Sequence, residues 1–415
     1  YFYMKVKKIL ILIAIAIMLL ASSVNATEPE ITATSAVVID CIDGKILYSK
    51  NMDEKLYPAS LTNVLTAILV VENCNMEDEV TISQSAIDNV QSGYLTANIK
   101  PGEILTVEQL LNLLLISSYN DVANALAEHV AGNVEEFANM MNKKAKEIGC
   151  TNSNFVNSSG AHSEEHYSTA HDMALIAKYA MQYDEIRNIT DKIYYELGAT
   201  NKYEKSDRLY QTTNEMLLAG SSNYYRYAQG IKTSFTTPAG YCLMVYSEKN
   251  DMPLVAVTMK STTSDSRYED TEKILEYAYE NNTIKTISKA GTNIQTINVK
   301  NANQDTKKLN AILANDVTAV VKVESEVNNI EPQIQINKNL KAPIEKGEIV
   351  GTVTYEVEGK TYTANLVAEN KVEKSKVGLT FTLIFIGLVI IFGSLRIIGI
   401  YKRTKTLKKI KEITK

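Results

Sequence analysis

GIKTSFTTPAGYCLMVYS, residues 230–247, contains two of the strands from which the fold is predicted. Its runs GIKTSF and YCLMVYS are short and rich in β-branched and aromatic residues, which is typical of strands. A third strand is predicted in PLVAVTMK, residues 253–260, and a helix in YEDTEKILEYAYE, residues 268–280. Lys232-Thr233-Ser234 lies on the first strand, where the lysine cation and a neighbouring hydroxyl could bind a carboxylate.

Helical and strand patterns are mixed throughout the part of the chain that surrounds this stretch. SAVVIDCIDGKILYSK, residues 35–50, alternates around Asp43-Gly44, which predicts a hairpin. LTVEQLLNLLLIS, residues 105–117, has Thr106 and Gln109 at capping-box spacing and continues as an apolar helix. The mixture predicts the α+β class.

Composition limits the possible classes of protein. The chain has 415 residues, of which 45% are hydrophobic and 22% charged, so it is neither disordered nor fibrous. Its 43 Lys+Arg and 48 Asp+Glu give a net charge of -5, and no dense basic patch lies away from the two ends. We therefore expect no nucleic-acid partner.

The N-terminal residues 1–26 are predicted to be an export signal. Lys5, Lys7 and Lys8 precede an apolar run, Ile9 to Leu20, and small residues follow it. An uncleaved signal anchor is the alternative, but the run is shorter than the roughly 20 residues that a membrane span needs.

The C-terminal end is predicted to anchor the chain in a membrane. Residues 377–395 carry no charge and are followed by the basic sequence YKRTKTLKKIKEITK, residues 401–415. A buried core helix is the alternative, but the Lys/Arg excess is typical of a cytoplasmic tail. We expect a transmembrane helix at 377–400, a cytoplasmic tail at 401–415, and the remaining chain on the outer face of the cell membrane.

Residues 283–370 read as a small β-rich domain, because short alternating segments follow one another and Glu358-Gly359 predicts a turn. The four cysteines are widely spaced along the whole chain and are Cys41, Cys74, Cys150 and Cys242. They form no CxxC pair and no Cys/His cluster of metal-ligand spacing, so we predict no metal site.

Two further motifs contain candidate catalytic residues. Ser60 begins an apolar helical run, and Asn63, three positions later, shares its face of the helix. A serine hydroxyl is a poor nucleophile until a neighbour takes its proton. Ser118-Tyr119-Asn120 follows the apolar helix, where a hydroxyl and an amide could line a cleft. A lone serine at a helix start is more often a cap, so the order of the three motifs carries the prediction.

These motifs resemble the S-x-x-K, S-x-N and K-T-G motifs of penicillin-recognising serine enzymes. More closely, YPASLT, LLISSYNDVANALAEHVAG and GIKTSFTTPAGYCLMVYS look like the D-alanyl-D-alanine carboxypeptidases of the low-molecular-mass penicillin-binding proteins, peptidase family S11. The resemblance implies a penicillin-binding and serine β-lactamase-like transpeptidase fold, an antiparallel sheet flanked by helices, in residues 30–282.

The resemblance also implies roles for the motif residues. Ser60 would attack the bond between the terminal D-alanines of a peptidoglycan stem peptide and form an acyl-enzyme. Ser118 and Asn120 would position the peptide and relay protons, and Lys232 with Thr233 would hold its carboxylate. β-Lactams would be covalent inhibitors, the location would be a bacterial cell membrane, and no cofactor would be needed.

Two positions depart from the family pattern. Asn63 stands where the family has its lysine, and a neutral amide cannot accept the proton of Ser60. Ser234 replaces the glycine of K-T-G and adds a side chain beside a strand that the substrate must approach. Two interpretations stay open: a working carboxypeptidase that recruits another base, such as Lys232 through Ser118, or an impaired homologue that binds stem peptides as a wall-binding or regulatory protein.

A zinc peptidase is a further alternative, because HSEEH, residues 162–166, fits the H-x-x-E-H signature. That chemistry requires a helix, so that both histidines and the glutamate meet one ion. Ser158-Ser159-Gly160 predicts a turn beside the signature, and no third ligand is evident. We therefore expect His162 and His166 to be structural or exposed to solvent.

Overall fold

The computed structural model describes residues 27–205, 208–375 and 377–413, so the predicted export signal at 1–26 lies outside the described residues. The chain divides into two compact units. One holds the residues up to Ile284 together with Val320–Ser325, and the other holds Lys285–Ala319 and the residues from Glu326 onward.

The first unit is built around a five-stranded antiparallel sheet. The strands up to residue 261, which include those of this sheet and of two small hairpin sheets, are in chain order β1 (Ser35–Asp40), β2 (Ile46–Lys50), β3 (Glu79–Thr81), β4 (Ile104–Thr106), β5 (Tyr194–Leu197), β6 (Arg208–Gln211), β7 (Lys232–Thr236), β8 (Gly240–Lys249) and β9 (Met252–Ser261). The large sheet has the order β2-β1-β9-β8-β7, while β3 pairs with β4 and β5 with β6. The three strands predicted around residues 230–260 are therefore confirmed.

Helices pack on the sheet of this unit. They are α1 (Asn63–Asn73), α2 (Gln84–Asp88), α3 (Val107–Ser117), α4 (Asn120–Ala131), α5 (Val134–Ile148), α6 (Ala170–Ala180), α7 (Asp184–Thr190) and α8 (Ser264–Asn281). A short 3-10 turn, Ala59–Thr62, leads directly into α1. The predicted capping box is confirmed, since Thr106 and Gln109 bond reciprocally at the start of α3.

The sheet is covered on both faces, as the side chains of β1 show. Successive side chains of a strand point to opposite faces. Val37 and Ile39 join the core formed with α1, α3, α4 and α6, whereas Ala36 and Val38 join the core formed with α8. All four are fully buried, so the first unit is a layered α+β structure.

The predicted hairpin at Asp43-Gly44 is also confirmed. β1 and β2 pair antiparallel, and Gly44 has φ +77°, in the left-handed region that favours glycine. The buried Asp40 carboxylate accepts backbone hydrogen bonds from Ile42, Asp43 and Lys45 at 2.7–2.9 Å. The Asp40 side chain therefore stabilises the turn, in addition to the backbone hydrogen bonds between β1 and β2.

The remaining chain contains β10 (Asn282–Ser288), β11 (Asn293–Asn298), β12 (Lys308–Leu313), β13 (Val317–Lys322), β14 (Gln333–Ile336), β15 (Ile349–Val357) and β16 (Lys360–Ala368). Five of these strands form an antiparallel sheet of order β11-β12-β16-β15-β14, and β10 pairs with β13. Glu358 and Gly359 connect β15 to β16 with φ values of +48° and +78°, which confirms the predicted turn.

A helix of 37 residues, α9 (Val377–Ile413), follows the second sheet. Its segment Phe381–Ile410 is long and apolar enough to cross a membrane, by length and composition alone. The helix continues past residue 400, where the basic tail was expected to begin. No Gly or Pro follows Gly399, and Lys, Leu and Arg favour helix, so the sequence holds no stop signal there.

Candidate active site

A cleft of about 620 Å³ opens on the first unit. Its lining includes the turn before α1, the connection between α3 and α4, strand β7 with the start of α8, and the loops that hold Tyr94 and His162. The lining residues with polar side chains suited to catalysis or substrate binding are Ser60, Ser118, Asn120, Thr233, Ser234 and Arg267. Five of the predicted site residues thus meet at one cleft, while Asn63 and Lys232 are buried behind its surface.

The turn that carries Ser60 has a strained backbone. Ala59 has φ +47°, a left-handed conformation that costs a residue with a Cβ atom roughly 1–2 kcal/mol. The neighbouring loop fits closely against this turn, because a Cβ atom added to Gly160 would lie 1.8 Å from the Ala59 carbonyl oxygen. Thr66 on α1 donates to the Ser158 carbonyl at 2.6 Å and ties the same loop to the helix.

The hydroxyl of Ser60 is not used as a helix cap. The 3-10 turn and α1 have no side-chain cap hydrogen bond, and the Ser60 hydroxyl forms no hydrogen bond with another described residue. The residue is partly exposed in the cleft. Its oxygen is therefore open to a substrate.

Asn63 begins α1 and is only 1% exposed. Its Nδ2 lies 3.5 Å from the Ser159 carbonyl oxygen, and its buried Oδ1 has no partner within the described chain. An unsatisfied buried acceptor costs about 1–3 kcal/mol. The position that holds a lysine in the family pattern is thus occupied by a poorly bonded neutral amide.

Ser118 and Asn120 are placed by the junction of two helices. α3 ends at Ser117, and Ser118 reverses the chain with φ +64° before α4 begins at Asn120. The backbone N–H and the Nδ2 of Asn120 donate to the Leu95 carbonyl at 2.9 and 3.3 Å. The buried Asp121 carboxylate accepts from the Ala97 N–H at 3.0 Å, so the loop beside the cleft is fixed to the start of α4.

Lys232 is 1% exposed, and its ammonium donates to the Leu115 carbonyl at 2.8 Å. Burial without a carboxylate partner disfavours the charged form and lowers the pKa of Lys232 to about 7. A substantial fraction of this lysine is therefore neutral at neutral pH and can accept a proton. The side chain is buried and is not part of the cleft lining.

The next two residues of β7 are joined to other segments. The Thr233 hydroxyl lies 2.6 Å from that of Thr213. The Ser234 hydroxyl donates to the Pro58 carbonyl at 2.9 Å, immediately before the strained turn, and Ser234 is 5% exposed. The serine that replaces the family's glycine thus bonds to the Ser60 segment and presents little of itself to the cleft.

Arg267 is a site residue that sequence reasoning missed. It lies in the first turns of α8, lines the cleft, and is 9% exposed. Its Nη2 donates to the Tyr268 hydroxyl at 2.9 Å, while its buried Nε has no partner within the described residues. A guanidinium can bind a carboxylate with two parallel hydrogen bonds. The available signal was a cation near a helix start, where acidic residues are favoured.

The zinc-peptidase alternative is wrong, because HSEEH forms a turn and not a helix. His166 is buried, and its Nδ1 accepts from the Val156 N–H at 3.2 Å. Its Nε2 therefore carries the proton and donates to the Thr62 hydroxyl at 2.9 Å. Burial lowers the pKa of His166 to about 4, so the ring is neutral. His162 lines the cleft and packs edge-on against Tyr57.

A family model described as D-alanyl-D-alanine carboxypeptidase matches residues 22–263. The chain belongs to this family. A second model, described as the C-terminal domain of penicillin-binding protein 5, matches residues 283–374. These matches confirm the family predicted from the motifs.

Relatives match over most of their length. D-alanyl-D-alanine carboxypeptidase DacF of Bacillus subtilis is 32% identical over 90% of this chain and 97% of its own. DacC of Escherichia coli is 30% identical over 90% of this chain and 93% of its own. The function predicted from the sequence is confirmed at this level: the chain is a D-alanyl-D-alanine carboxypeptidase of peptidoglycan metabolism, a serine hydrolase.

Solved structures confirm the predicted fold. Penicillin-binding protein 5 of Haemophilus influenzae aligns with a TM-score of 0.67 and 28% identity, covering 84% of this chain and 100% of that one. A peptidoglycan synthesis regulatory factor of Streptococcus pneumoniae aligns with a TM-score of 0.70 and 26% identity, covering 83% and 100%.

Proposed function

We propose that this carboxypeptidase removes the terminal D-alanine of peptidoglycan stem peptides through an acyl-enzyme on Ser60. The observation that carries the proposal is an unbonded Ser60 hydroxyl on a strained turn, in a cleft shared with Ser118 and Asn120. The Ser60 oxygen attacks the carbonyl between the two D-alanines, the C–N bond breaks, and D-alanine leaves. Water then releases the shortened peptide.

The base in this proposal is Lys232. Asn63 cannot take a proton, and among the described residues Lys232 is the lysine whose pKa burial lowers to about 7. The neutral amine accepts the Ser60 proton by way of the Ser118 hydroxyl and returns it to the departing amine of D-alanine. General base catalysis of this kind contributes roughly 10²- to 10⁴-fold.

The substrate carboxylate is assigned to Arg267 and Thr233, which both line the cleft. Lys232 is then free for proton transfer, whereas the family resemblance gave it the carboxylate. Asn120 holds the peptide backbone. β-Lactams acylate the same serine, in keeping with the penicillin-binding proteins among the structural neighbours.

An impaired, peptide-binding homologue is the second candidate, and Asn63 favours it. Its unpartnered Oδ1 indicates that the buried position beside Ser60 is not optimised for proton transfer. One solved neighbour is itself described as a peptidoglycan synthesis regulatory factor.

We further propose that the chain is an exported protein of the bacterial cell membrane. Residues 1–26 direct export, the carboxypeptidase domain (30–282) and the β-rich domain (283–370) lie on the outer face, residues 377–400 cross the membrane, and the basic residues 401–415 stay inside. The apolar segment of α9 and the Lys/Arg excess after it support this arrangement.

The deciding experiment is the intact mass of the protein after incubation with benzylpenicillin, combined with D-alanine release from an acyl-D-Ala-D-Ala peptide. Three proteins are compared: the unchanged chain, Asn63→Lys and Ser60→Ala. We expect one adduct per unchanged chain and none on Ser60→Ala. Asn63→Lys is expected to react roughly 10²-fold faster, because it adds a base on the face of Ser60.

An adduct confined to Asn63→Lys would favour the impaired homologue, since the cleft would then be intact but without a base. An adduct that persists on Ser60→Ala would remove Ser60 as the nucleophile.

A further inference from the structure

Three side chains of metal-binding type meet outside the catalytic cleft. The Cys74 sulfur, a carboxylate oxygen of Asp78 and a ring nitrogen of His129 all lie within 4.8 Å of one another. Cys74 follows the last residue of α1, Asp78 lies in the next turn, and His129 belongs to the last turn of α4. None of the three lines the cleft around Ser60.

The turn that carries two of these residues is held in place by its neighbours. The Val107 N–H donates to the Asp78 carbonyl at 2.9 Å, and the Glu108 N–H donates to the Met76 carbonyl at 3.0 Å. The Asn75 N–H donates to Oδ2 of Asp78 at 2.8 Å, and the Asn75 Nδ2 lies 3.3 and 3.4 Å from Oδ1 and Oδ2. These bonds fix the orientation of the carboxylate, and Oδ1 keeps a lone pair for a ligand.

The other two donor atoms are not used elsewhere. Within the described residues, the Cys74 sulfur and the His129 ring have no hydrogen-bond partner, and Cys74 forms no disulfide. Cys74 is partly buried and His129 exposed, so an ion can reach the group from solvent. α1 and α4 belong to one core, which holds the thiol and the imidazole on a common frame.

We propose that Cys74, Asp78 and His129 bind a divalent transition-metal cation such as Zn²⁺. Sulfur, nitrogen and oxygen donors together suit zinc, whereas Mg²⁺ and Ca²⁺ take oxygen ligands. Ligand atoms of a tetrahedral zinc ion lie about 3.3–3.8 Å apart, so shifts of about 1 Å close the group around an ion. The thiol loses its proton to solvent on binding, and water fills the fourth position.

The proposed ion joins the end of α1 to the end of α4 and has a structural role. Sequence spacing does not predict it, because His129 lies far along the chain from Cys74 and only the packing of two helices brings them together. Zinc binding is independent of the proposed reaction at Ser60, so either proposal can fail without the other.

The test is a Co²⁺ titration of the reduced full chain in detergent, purified without a histidine tag. Thiolate-bound cobalt gives a near-ultraviolet charge-transfer band that Zn²⁺ abolishes by displacement. We expect one Co²⁺ per chain, with loss of the band in Cys74→Ser and in His129→Gln. His129 is exposed, so its replacement leaves the fold intact.

Cys41→Ser is the matched control, since Cys41 is another partly exposed thiol outside the cluster. It should keep the band. Saturating Zn²⁺ should raise the Tm of the unchanged chain by about 5 °C and leave that of Cys74→Ser unchanged. Absence of the band from the unchanged chain, or its survival in either ligand variant, would overturn the proposal.

Discussion

Two buried side chains behind the cleft, Asn63 and Lys232, differ in their capacity for proton transfer. The amide of Asn63 is neutral at every accessible pH, while burial brings the pKa of Lys232 down to about 7. The bond from Lys232 to the Leu115 carbonyl satisfies one donor and leaves the nitrogen lone pair of the neutral form available. Of these two side chains, Lys232 is therefore the one that can act as the proposed base near neutral pH.

This assignment predicts the pH dependence of acylation. Below its pKa Lys232 is protonated and cannot accept the Ser60 proton, so the rate rises with pH and levels off above about 7. The slope below that pH should be about tenfold per unit. The measurement is the second-order rate constant for acylation by benzylpenicillin across this range.

Lys232→Arg is the control for this profile, because a guanidinium stays protonated throughout. It should react roughly 10²-fold more slowly at the plateau and show no rise near pH 7. A rate that does not change with pH in the unchanged protein, or the same profile in Lys232→Arg, would assign the base elsewhere.

We predict that the Ser234 side chain supports acylation, whereas the family pattern led us to expect that it would obstruct the substrate. Its hydroxyl bonds to the Pro58 carbonyl, next to the strained residue Ala59. Ser234→Ala removes that bond, while the Leu61 N–H still donates to the same carbonyl at 3.2 Å. The variant should therefore lower the free energy of unfolding by about 0.5–1.5 kcal/mol and slow acylation. Denaturant unfolding and the acylation rate measure the two effects.

Ser234→Gly distinguishes this role from crowding of the cleft. If the hydrogen bond matters, the alanine and glycine variants both slow acylation. If the side chain obstructs the substrate, the glycine variant acylates faster than the unchanged protein.

The turn before α1 depends on close packing between two elements. Gly160 has φ +81° and leaves no space for a Cβ atom beside the Ala59 carbonyl. Gly160→Ala therefore combines left-handed strain with a backbone clash, and we expect a loss of about 3 kcal/mol or more in unfolding free energy together with slow acylation.

Gly132 offers the matched control, since it has φ +82° at the end of α4 and no atom within 4 Å of an added Cβ. Gly132→Ala should cost only the strain, about 1 kcal/mol, and leave acylation unchanged. Equal losses in the two variants would mean that the contact with Ala59 contributes nothing. Chemical unfolding and penicillin acylation of both proteins provide the comparison.

Local signals predicted the elements of the first unit well. The capping box of Thr106 and Gln109 and the turn at Asp43-Gly44 act within a few residues, so the sequence alone reveals them. Contacts between distant segments were not predictable in this way. The bond from Ser234 to Pro58 and the bond from His166 to Thr62 depend on how the elements pack.

The same distinction applies to the candidate site. Ser60, Ser118, Asn120 and Lys232 were found because their motifs keep a recognisable order along the chain. Arg267 belongs to no such motif and reaches the cleft only because α8 packs against the sheet. The pKa of Lys232 was likewise not predictable, since it depends on burial of the ammonium group.

The molecule as a whole consists of two compact units, and the second unit ends in a long apolar helix. The residues proposed for catalysis, from Ser60 to Arg267, all belong to the first unit. The side chains of α9 in the segment Phe381–Ile410 are unburied by the rest of the chain. A helix of this length and composition needs either a membrane or a partner to cover it.

Membrane anchoring predicts that a chain ending at Lys374 is released from membranes while the full chain is retained. Without α9 the apolar segment is gone, and the truncated protein should appear in the soluble fraction with its penicillin acylation rate unchanged, because Ser60, Ser118 and Lys232 remain. A full-length variant with Leu388→Arg and Ile391→Arg is the control. Each arginine opposes insertion by about 2.5–3.5 kcal/mol at the centre of a span, so this variant should also leave the membrane fraction. Retention of the truncated chain would place the membrane contact outside α9.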